Sequence, residues 1–418
     1  MSVTVSRLPS GLVVASEIMP SVQTVTVGAW VRAGTRHEPA VINGIAHLLE
    51  HMAFKGTTRR TAFDIAAEIE AVGGYLNAYT SRENTAYYAR VLQGDFPLAV
   101  DVISDILQFP TFDEMELSRE RGVVLQEIGQ AQDTPDDIIF DHFQEAAFPN
   151  QALGRPVLGD ADTVAELNRE NLIEFRDHNY GPGRMVVAAA GAVDHDAVLK
   201  LVTRSFDSLA TRGSEEIEAA RYAGGEYREE RDLEQIHLLI GFPSVGLLDS
   251  DYFAVGILSQ ILGGGMSSRL YQEVRERQGL AYSIYSFNSA FSDSGLFGIY
   301  AGTGEEQAGN LVEIVAGELR SLPGSMDEEE LRRAKRQTEA AYLMSRESTT
   351  SRCEHLAQQI LTYGRPLPPD EIMGRIDQVS MSDVVELCAR FLADGPTMAS
   401  IGPVGGLPRL RELRSWLV

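Results

Sequence analysis

Three residues inside little more than one helical turn carry the strongest chemical signal in this chain: His47, Glu50 and His51, in the order H-x-x-E-H. His47 and His51 stand at i and i+4, so on a helix both imidazoles project from one face, and Glu50 shares that face. Two neutral imidazoles and a carboxylate held together are what a catalytic zinc ion takes as protein ligands, with a fourth position left for water. The order inverts H-E-x-x-H. The chemistry it implies is metal-assisted hydrolysis, with a side chain at hand to move the proton of water. His–Glu neighbours also occur on ordinary solvated helix faces, but the run 42–54 (INGIAHLLEHMAF) is mostly apolar. Two imidazoles and a carboxylate carried into such surroundings need a partner, and a metal supplies one.

A further ligand has to come from a distant carboxylate. The helix-like stretch 115–132 (MELSRERGVVLQEIGQAQ) carries Glu120 and Glu127 two turns apart on one face. Alone, such a pair describes a solvated helix face.

The elements that must position these groups follow from periodicity. Residues 22–32 alternate with period two, as a half-buried strand does, and helical periodicity covers about 41–55, 61–72, 95–108 and 113–132. Between the second and third helices, 75–80 (YLNAYT) and 85–91 (TAYYARV) read as a pair of strands, and 185–190 (MVVAAA) as a short buried one. The polar stretch 208–232, with Gly224-Gly225, is the candidate linker. Beyond it the pattern restarts. Residues 234–242 mirror the strand near 22–30, and 254–262 fall where the first half has its H-x-x-E-H helix, with Ser259 opposite His47 and Gly263 opposite His51. The expected fold class is therefore α+β, with two similar halves, each of helices packed on a largely antiparallel sheet. The expected domains are 1–212, carrying the metal motif, a linker at 213–232, and 233–418 without the motif.

Composition narrows the partners. The chain has 418 residues, 44% of them hydrophobic and 23% charged, which describes a folded protein long enough for two domains. A net charge of −24 argues against nucleic acid or an anionic membrane and favours cationic ligands. No apolar run reaches the length of a membrane span. Cys353 and Cys388 make no disulfide framework, and the N-terminus has neither a signal-peptide core nor an Arg-rich transit pattern, so the cytoplasm is the expected location. The remaining histidines, His37, His142, His178, His195, His237 and His355, lack ligand spacing. Gly263-Gly264-Gly265 is not followed by Gly-Lys-Ser/Thr and is not read as a phosphate loop.

With H-x-x-E-H followed by a two-glutamate helix, 74–83 (GYLNAYTSRE) and 263–275 (GGGMSSRLYQEVR), the sequence resembles the pitrilysin family of inverzincin zinc peptidases. The resemblance is strongest to its two-domain branch, that of the mitochondrial processing peptidases and their bacterial relatives, and it spans nearly the whole chain. It implies one zinc per chain, with His47, His51 and Glu127 as ligands, Glu50 as general base and Glu120 orienting the ligands from behind. It implies that Asn77, Ala78 and Tyr79 lie on an edge strand where an extended peptide adds by main-chain hydrogen bonds. Arg275 and Tyr282 look like the family's Arg/Tyr pair, which binds the scissile carbonyl region and steadies the oxyanion. In members of this length a partner subunit supplies that pair, so a homodimer acting in trans is implied. Asp137 and Asp141 fall where processing peptidases hold two acidic residues that bind arginine. The first is Glu in that subgroup, which puts the arginine preference in doubt.

The leading expectation is a zinc endopeptidase that hydrolyses unfolded or short, basic peptides inside a dimeric chamber. One alternative is a non-catalytic partner or scaffold subunit, against which the intact motif set speaks. The other is a small-molecule zinc lyase like the S-ribosylhomocysteine lyases, which share H-x-x-E-H. Those are shorter and use a cysteine ligand, whereas both cysteines here lie far along the chain.

Overall fold

The alternating segment near 22–32 and the apolar run near 185–190 become neighbouring strands at the middle of a six-stranded sheet. In this computed structural model, which describes residues 3–209 and 217–417, the strands of the first sheet are β1 (Val3–Arg7), β2 (Val13–Ile18), β3 (Thr24–Val31), β4 (Tyr75–Thr80), β5 (Thr85–Leu92) and β6 (Met185–Gly191). Their order is β1-β2-β6-β3-β5-β4. Only the β2–β6 pair is parallel, and every other neighbour is antiparallel.

Every residue of β6 is buried, because the sheet is covered on both faces. One face carries Val14, Val25, Val27, Val187 and Ala189 against the helices Ile45–Ala53 and Phe96–Gln108. The other carries Ala15, Trp30, Ala188 and Ala190 beneath helix Thr349–Tyr363. The alanines leave room for that helix to come close enough for the Cys353 thiol to donate to the Ala188 carbonyl at 3.2 Å. Unit one thus comprises Met1–Gln130, Arg155–Glu218 and Met344–Pro366. A buried Glu17, paired with Arg346 at 2.5 Å and Arg352 at 3.0 Å, ties the late segment to β2.

Unit two comprises Ala131–Gly154, Ala219–Leu343 and Leu367–Val418. Its sheet contains β7 (Glu226–Glu230), β8 (Ile236–Ser244), β9 (Ala281–Ala290), β10 (Gly295–Thr303) and β11 (Thr397–Gly402), in the order β7-β11-β8-β10-β9. The order matches β2-β6-β3-β5-β4 position for position, down to the single parallel pair, here β7–β11. The two halves are the same α+β unit, the first with one extra edge strand. The compact units differ from halves taken in chain order, since each includes a segment from the other half of the sequence. Of the candidate linker at 213–232, residues 213–216 lie outside the described residues, and 226–230 form β7.

Element limits follow local chemistry. The helix expected over 41–55 is only Ile45–Ala53, because Ala40–Ile42 forms a separate 3-10 turn and Gly44 enters the helix with φ 96°. That conformation favours glycine, and a Cβ there would also sit 2.8 Å from the Leu158 carbonyl oxygen. The next helix, Ala62–Ala71, starts at Thr61, whose hydroxyl accepts from Asp64 N–H while the Asp64 carboxylate accepts from Thr61 N–H. Cys353 and Cys388 are buried free thiols, with pKa values pushed up by burial. Among the described residues, no helix is long and apolar enough to cross a membrane.

Candidate metal centre

Helix Ile45–Ala53 buries Ile45, Ala46, Leu48, Leu49, Met52 and Ala53 in the core of unit one and turns His47, Glu50 and His51 the other way. Its first turn is held by Glu38, a fully buried carboxylate. Oε1 accepts from Ala46 N–H at 2.8 Å, and Oε2 accepts from Gly44 N–H at 2.8 Å and Asn43 Nδ2 at 2.7 Å. Two free N–H groups of a helix start are thereby satisfied. Burial still pushes the Glu38 pKa up to about 7, against the pull of these donors.

Helix Glu114–Gln132 supplies the distant carboxylates. Glu127 Oε2 lies 3.7 Å from His47 Nε2 and 3.7 Å from His51 Nε2. Ligand atoms about 2.1 Å from a tetrahedral zinc are separated by about 3.4 Å, so the three atoms converge as such a site requires. Among the described residues, these three form the one group of His, Cys, Asp or Glu with metal-holding spacing. The other six histidines belong to no such group. Burial, with His51 beside it, lowers the His47 pKa to about 4, so the ring stays neutral at ordinary pH, the form that binds a metal. The residues present therefore fit a zinc ion.

Glu120 lies behind the site. Its Oε2 is 3.1 Å from His51 Nδ1, and its Oε1 is 2.8 Å from Lys55 Nζ. With the His51 Nδ1–H donated to a carboxylate, Nε2 is the nitrogen left for a metal. Glu50 points to β4, where the Thr80 hydroxyl donates to its Oε2 at 2.6 Å. Burial raises the Glu50 pKa, opposed by the Thr80 hydrogen bond and by His51, while Glu127 adds to the rise. Sequence reasoning passed over Thr80, Lys55 and Glu38 as site residues. Thr80 lay inside the segment singled out at 74–83, but its role depends on how β4 packs against the helix.

Asn77, Ala78 and Tyr79 are on β4, which among the described residues pairs only with β5 and is an edge of the sheet. Asn77 Oδ1 accepts from Ala78 N–H at 2.9 Å, and Tyr79 is anchored by its hydroxyl donating to Glu354 at 2.7 Å. The remaining expected site residues belong to unit two. Asp137 and Asp141 are one turn apart on helix Pro135–Ala147. Arg275 is in a π-helical segment, Tyr271–Arg277, and Tyr282 is in β9. The Arg275 guanidinium lies over two rings, 4.8 Å from the Tyr271 centroid and 4.7 Å from that of Tyr282. Tyr282 is 77% exposed.

A repeated α+β unit, with H-x-x-E-H on a helix of the first copy and a facing glutamate on another, defines a metallopeptidase of the inverted zinc-motif class. The comparisons agree. Residues 13–161 match the family described as Insulinase (Peptidase family M16), and residues 166–338 match the Peptidase M16 inactive domain. An uncharacterized zinc protease of Streptomyces coelicolor is 39% identical over 411 residues, covering 96% of this chain and 89% of that one. The beta subunit of the human mitochondrial-processing peptidase is 37% identical over 430 residues, covering 99% and 88%. A crystal structure of a protease from Helicobacter pylori shares the fold, with a TM-score of 0.89 at 22% identity, over 96% of this chain and 99% of that one. The chain belongs to peptidase family M16, a family of zinc peptidases.

Proposed function

We propose that the protein is a zinc endopeptidase that cleaves unfolded or short, basic peptides, with one zinc per chain held by His47, His51 and Glu127. The observation that carries this reading is the meeting of two Nε2 atoms and one carboxylate oxygen at 3.7 Å beside Glu50. When bound, zinc polarises the reacting groups and makes water acidic enough to attack at neutral pH. Glu50 is the general base. Thr80 holds its Oε2, which leaves Oε1 to take the proton from the attacking water and pass it to the leaving amine. The burial that raises the Glu50 pKa suits a group that must both accept and return a proton.

The substrate lies extended along the open edge of β4 at Asn77, Ala78 and Tyr79, so main-chain hydrogen bonds grip it with little regard to sequence. The net charge of −24, with Asp137 and Asp141, favours cationic segments. Arg275 and Tyr282 bind the scissile carbonyl region, supplied by a second copy in a homodimer that encloses the reaction. The 77% exposure of Tyr282 supports a part played against something outside its own unit. The cytoplasm is the proposed location.

The test is turnover of an unfolded peptide library, with products identified by mass spectrometry. Cleavage at internal bonds, lost on chelation, restored by zinc and faster for basic than for acidic peptides, is the expected result. A purified, zinc-loaded chain that cleaves nothing would overturn it in favour of a non-catalytic partner subunit.

A further inference from the structure

The two glutamates of helix Glu114–Gln132 are chemically equivalent, yet the geometry gives them different work. Only Glu127 turns an oxygen to both Nε2 atoms. Glu120 is nearly buried, its side chain 7% exposed, and each of its oxygens has one cationic or N–H partner. Lys55 is the group that completes this arrangement. It follows the C-terminal end of the His47–His51 helix, where its backbone N–H donates to the Met52 carbonyl at 3.3 Å, and the negative end of the helix dipole favours a cation there. From that position its ammonium holds Glu120 Oε1 at 2.8 Å. Without it, Glu120 would be a buried carboxylate answered only by one imidazole N–H, an arrangement that buried charges avoid.

We infer that Lys55 is a positioning residue of the metal centre: by holding Glu120 Oε1 it keeps Oε2 on His51 Nδ1, fixes the tautomer that presents Nε2, and leaves Glu127 alone as the carboxylate ligand. This rests on the reading of His47, His51 and Glu127 as the zinc set. Lys55 touches no ligand itself and acts through Glu120. An ordinary salt bridge between two helices would look the same in distance alone, but it would contribute to fold stability and not to the metal. The charge balance supports the positioning role. Glu50, Glu120 and Glu127 are three carboxylates around one candidate dication, and Lys55 neutralises the one that is assigned to an imidazole.

The test is zinc affinity of the full chain, measured by competition with a chromophoric chelator, for wild type, Lys55→Met, Lys55→Arg, Glu120→Gln and the Lys55→Met/Glu120→Gln double variant. Loss of an outer partner of a metal ligand typically weakens binding by about 10- to 100-fold. Lys55→Met is expected to lose that much, Lys55→Arg to keep most of the affinity, and the double variant to bind no more weakly than Glu120→Gln alone, since both changes break one chain of contacts. The double variant leaves no unpaired buried charge, so it keeps the comparison open if Lys55→Met folds poorly. Wild-type affinity in Lys55→Met despite a lower melting temperature would make Lys55 a structural bridge and overturn the inference. Losses that multiply in the double variant would overturn it as well. A wild-type chain that takes up no zinc would instead overturn the site reading itself.

Discussion

The two units place a helix at the same point of the same topology, and only one of these helices carries a candidate metal site. In unit one, helix Ile45–Ala53 meets the edge strand β4 through Glu50, whose Oε2 accepts from the Thr80 hydroxyl at 2.6 Å, and turns His47 and His51 to Glu127 of helix Glu114–Gln132. In unit two, helix Tyr252–Gly263 presents Ser259 and Gly263 at the matching positions and lies directly on the edge strand β9. The Ser259 and Ser286 hydroxyls are 3.0 Å apart, and a Cβ on Gly263 would stand 2.4 Å from the Ser286 backbone nitrogen. The starts differ too. The first helix begins on the buried Glu38, whereas the second begins at Asp251 with no side-chain cap. One scaffold thus carries metal-spaced side chains on this helix in unit one and packs it tightly on the edge strand in unit two, and the side chains at two positions accompany the difference.

The largest effect should separate the units outright. His51→Ala is expected to weaken zinc binding by more than the about 10- to 100-fold typical of an outer partner and to abolish turnover. Ser259→Ala, at the position in unit two matching His47, should leave both unchanged. Metal analysis and peptide assays on the two variants would check this, and a loss of zinc in Ser259→Ala would break the comparison.

Next in size is Tyr282→Phe, which removes one hydroxyl from unit two. If that hydroxyl steadies the oxyanion, turnover should fall by about 10²–10³ with zinc content unchanged. Mixing this variant with a Glu50→Gln chain should then restore a fraction of wild-type activity in mixed dimers, because one site regains both groups. Subunit exchange without recovered activity would mean that the hydroxyl does not act in trans.

The buried start of the first helix should show in the pH dependence of stability. Glu38 has a folded pKa of about 7, above the ordinary carboxylate value of 4.5, so the folded chain binds its proton more tightly than the unfolded one. The stabilisation from this protonation is therefore complete below about pH 4.5 and is lost as pH rises through about 7, a change of at most about 3 kcal/mol. Glu38→Gln should flatten this part of the curve in metal-free protein. An unchanged slope would mean that Glu38 does not titrate there.

The smallest effect concerns close packing in unit two. Gly263→Ala should destabilise by about 1–3 kcal/mol, since β9 must give way. Gly256→Ala, on the same helix with open space around it, should be neutral or stabilising by up to about 1 kcal/mol. Thermal unfolding would distinguish them.

Much of this was legible in the chain because the decisive features are local. The i, i+4 imidazoles define a helix face by themselves, and the strands at 75–80 and 85–91 alternate cleanly, so their observed limits, Tyr75–Thr80 and Thr85–Leu92, nearly coincide with the expected ones. The repeat was visible as a second strand followed by an apolar helix, and the matching strand orders bear it out. Other features depend on contacts between distant residues. Helix Thr349–Tyr363 joins unit one through Thr26, Glu17 and Ala188, none of which its own sequence points to. Glu38 sits in a polar turn that reads as surface, and only the fold reveals it as buried. Lys55 and Thr80 likewise gain their roles from elements packed across the site.

Glu50→Gln tests the central claim most directly, with bound zinc and peptide turnover measured on the same sample. The change keeps the side chain's shape and its place beside Thr80 but removes the capacity to take a proton from water. Zinc content equal to wild type, with turnover lower by about two to four orders of magnitude, is the expected result. Near wild-type turnover, or loss of the metal, would contradict the assignment of Glu50 to the proton and of His47, His51 and Glu127 to the zinc.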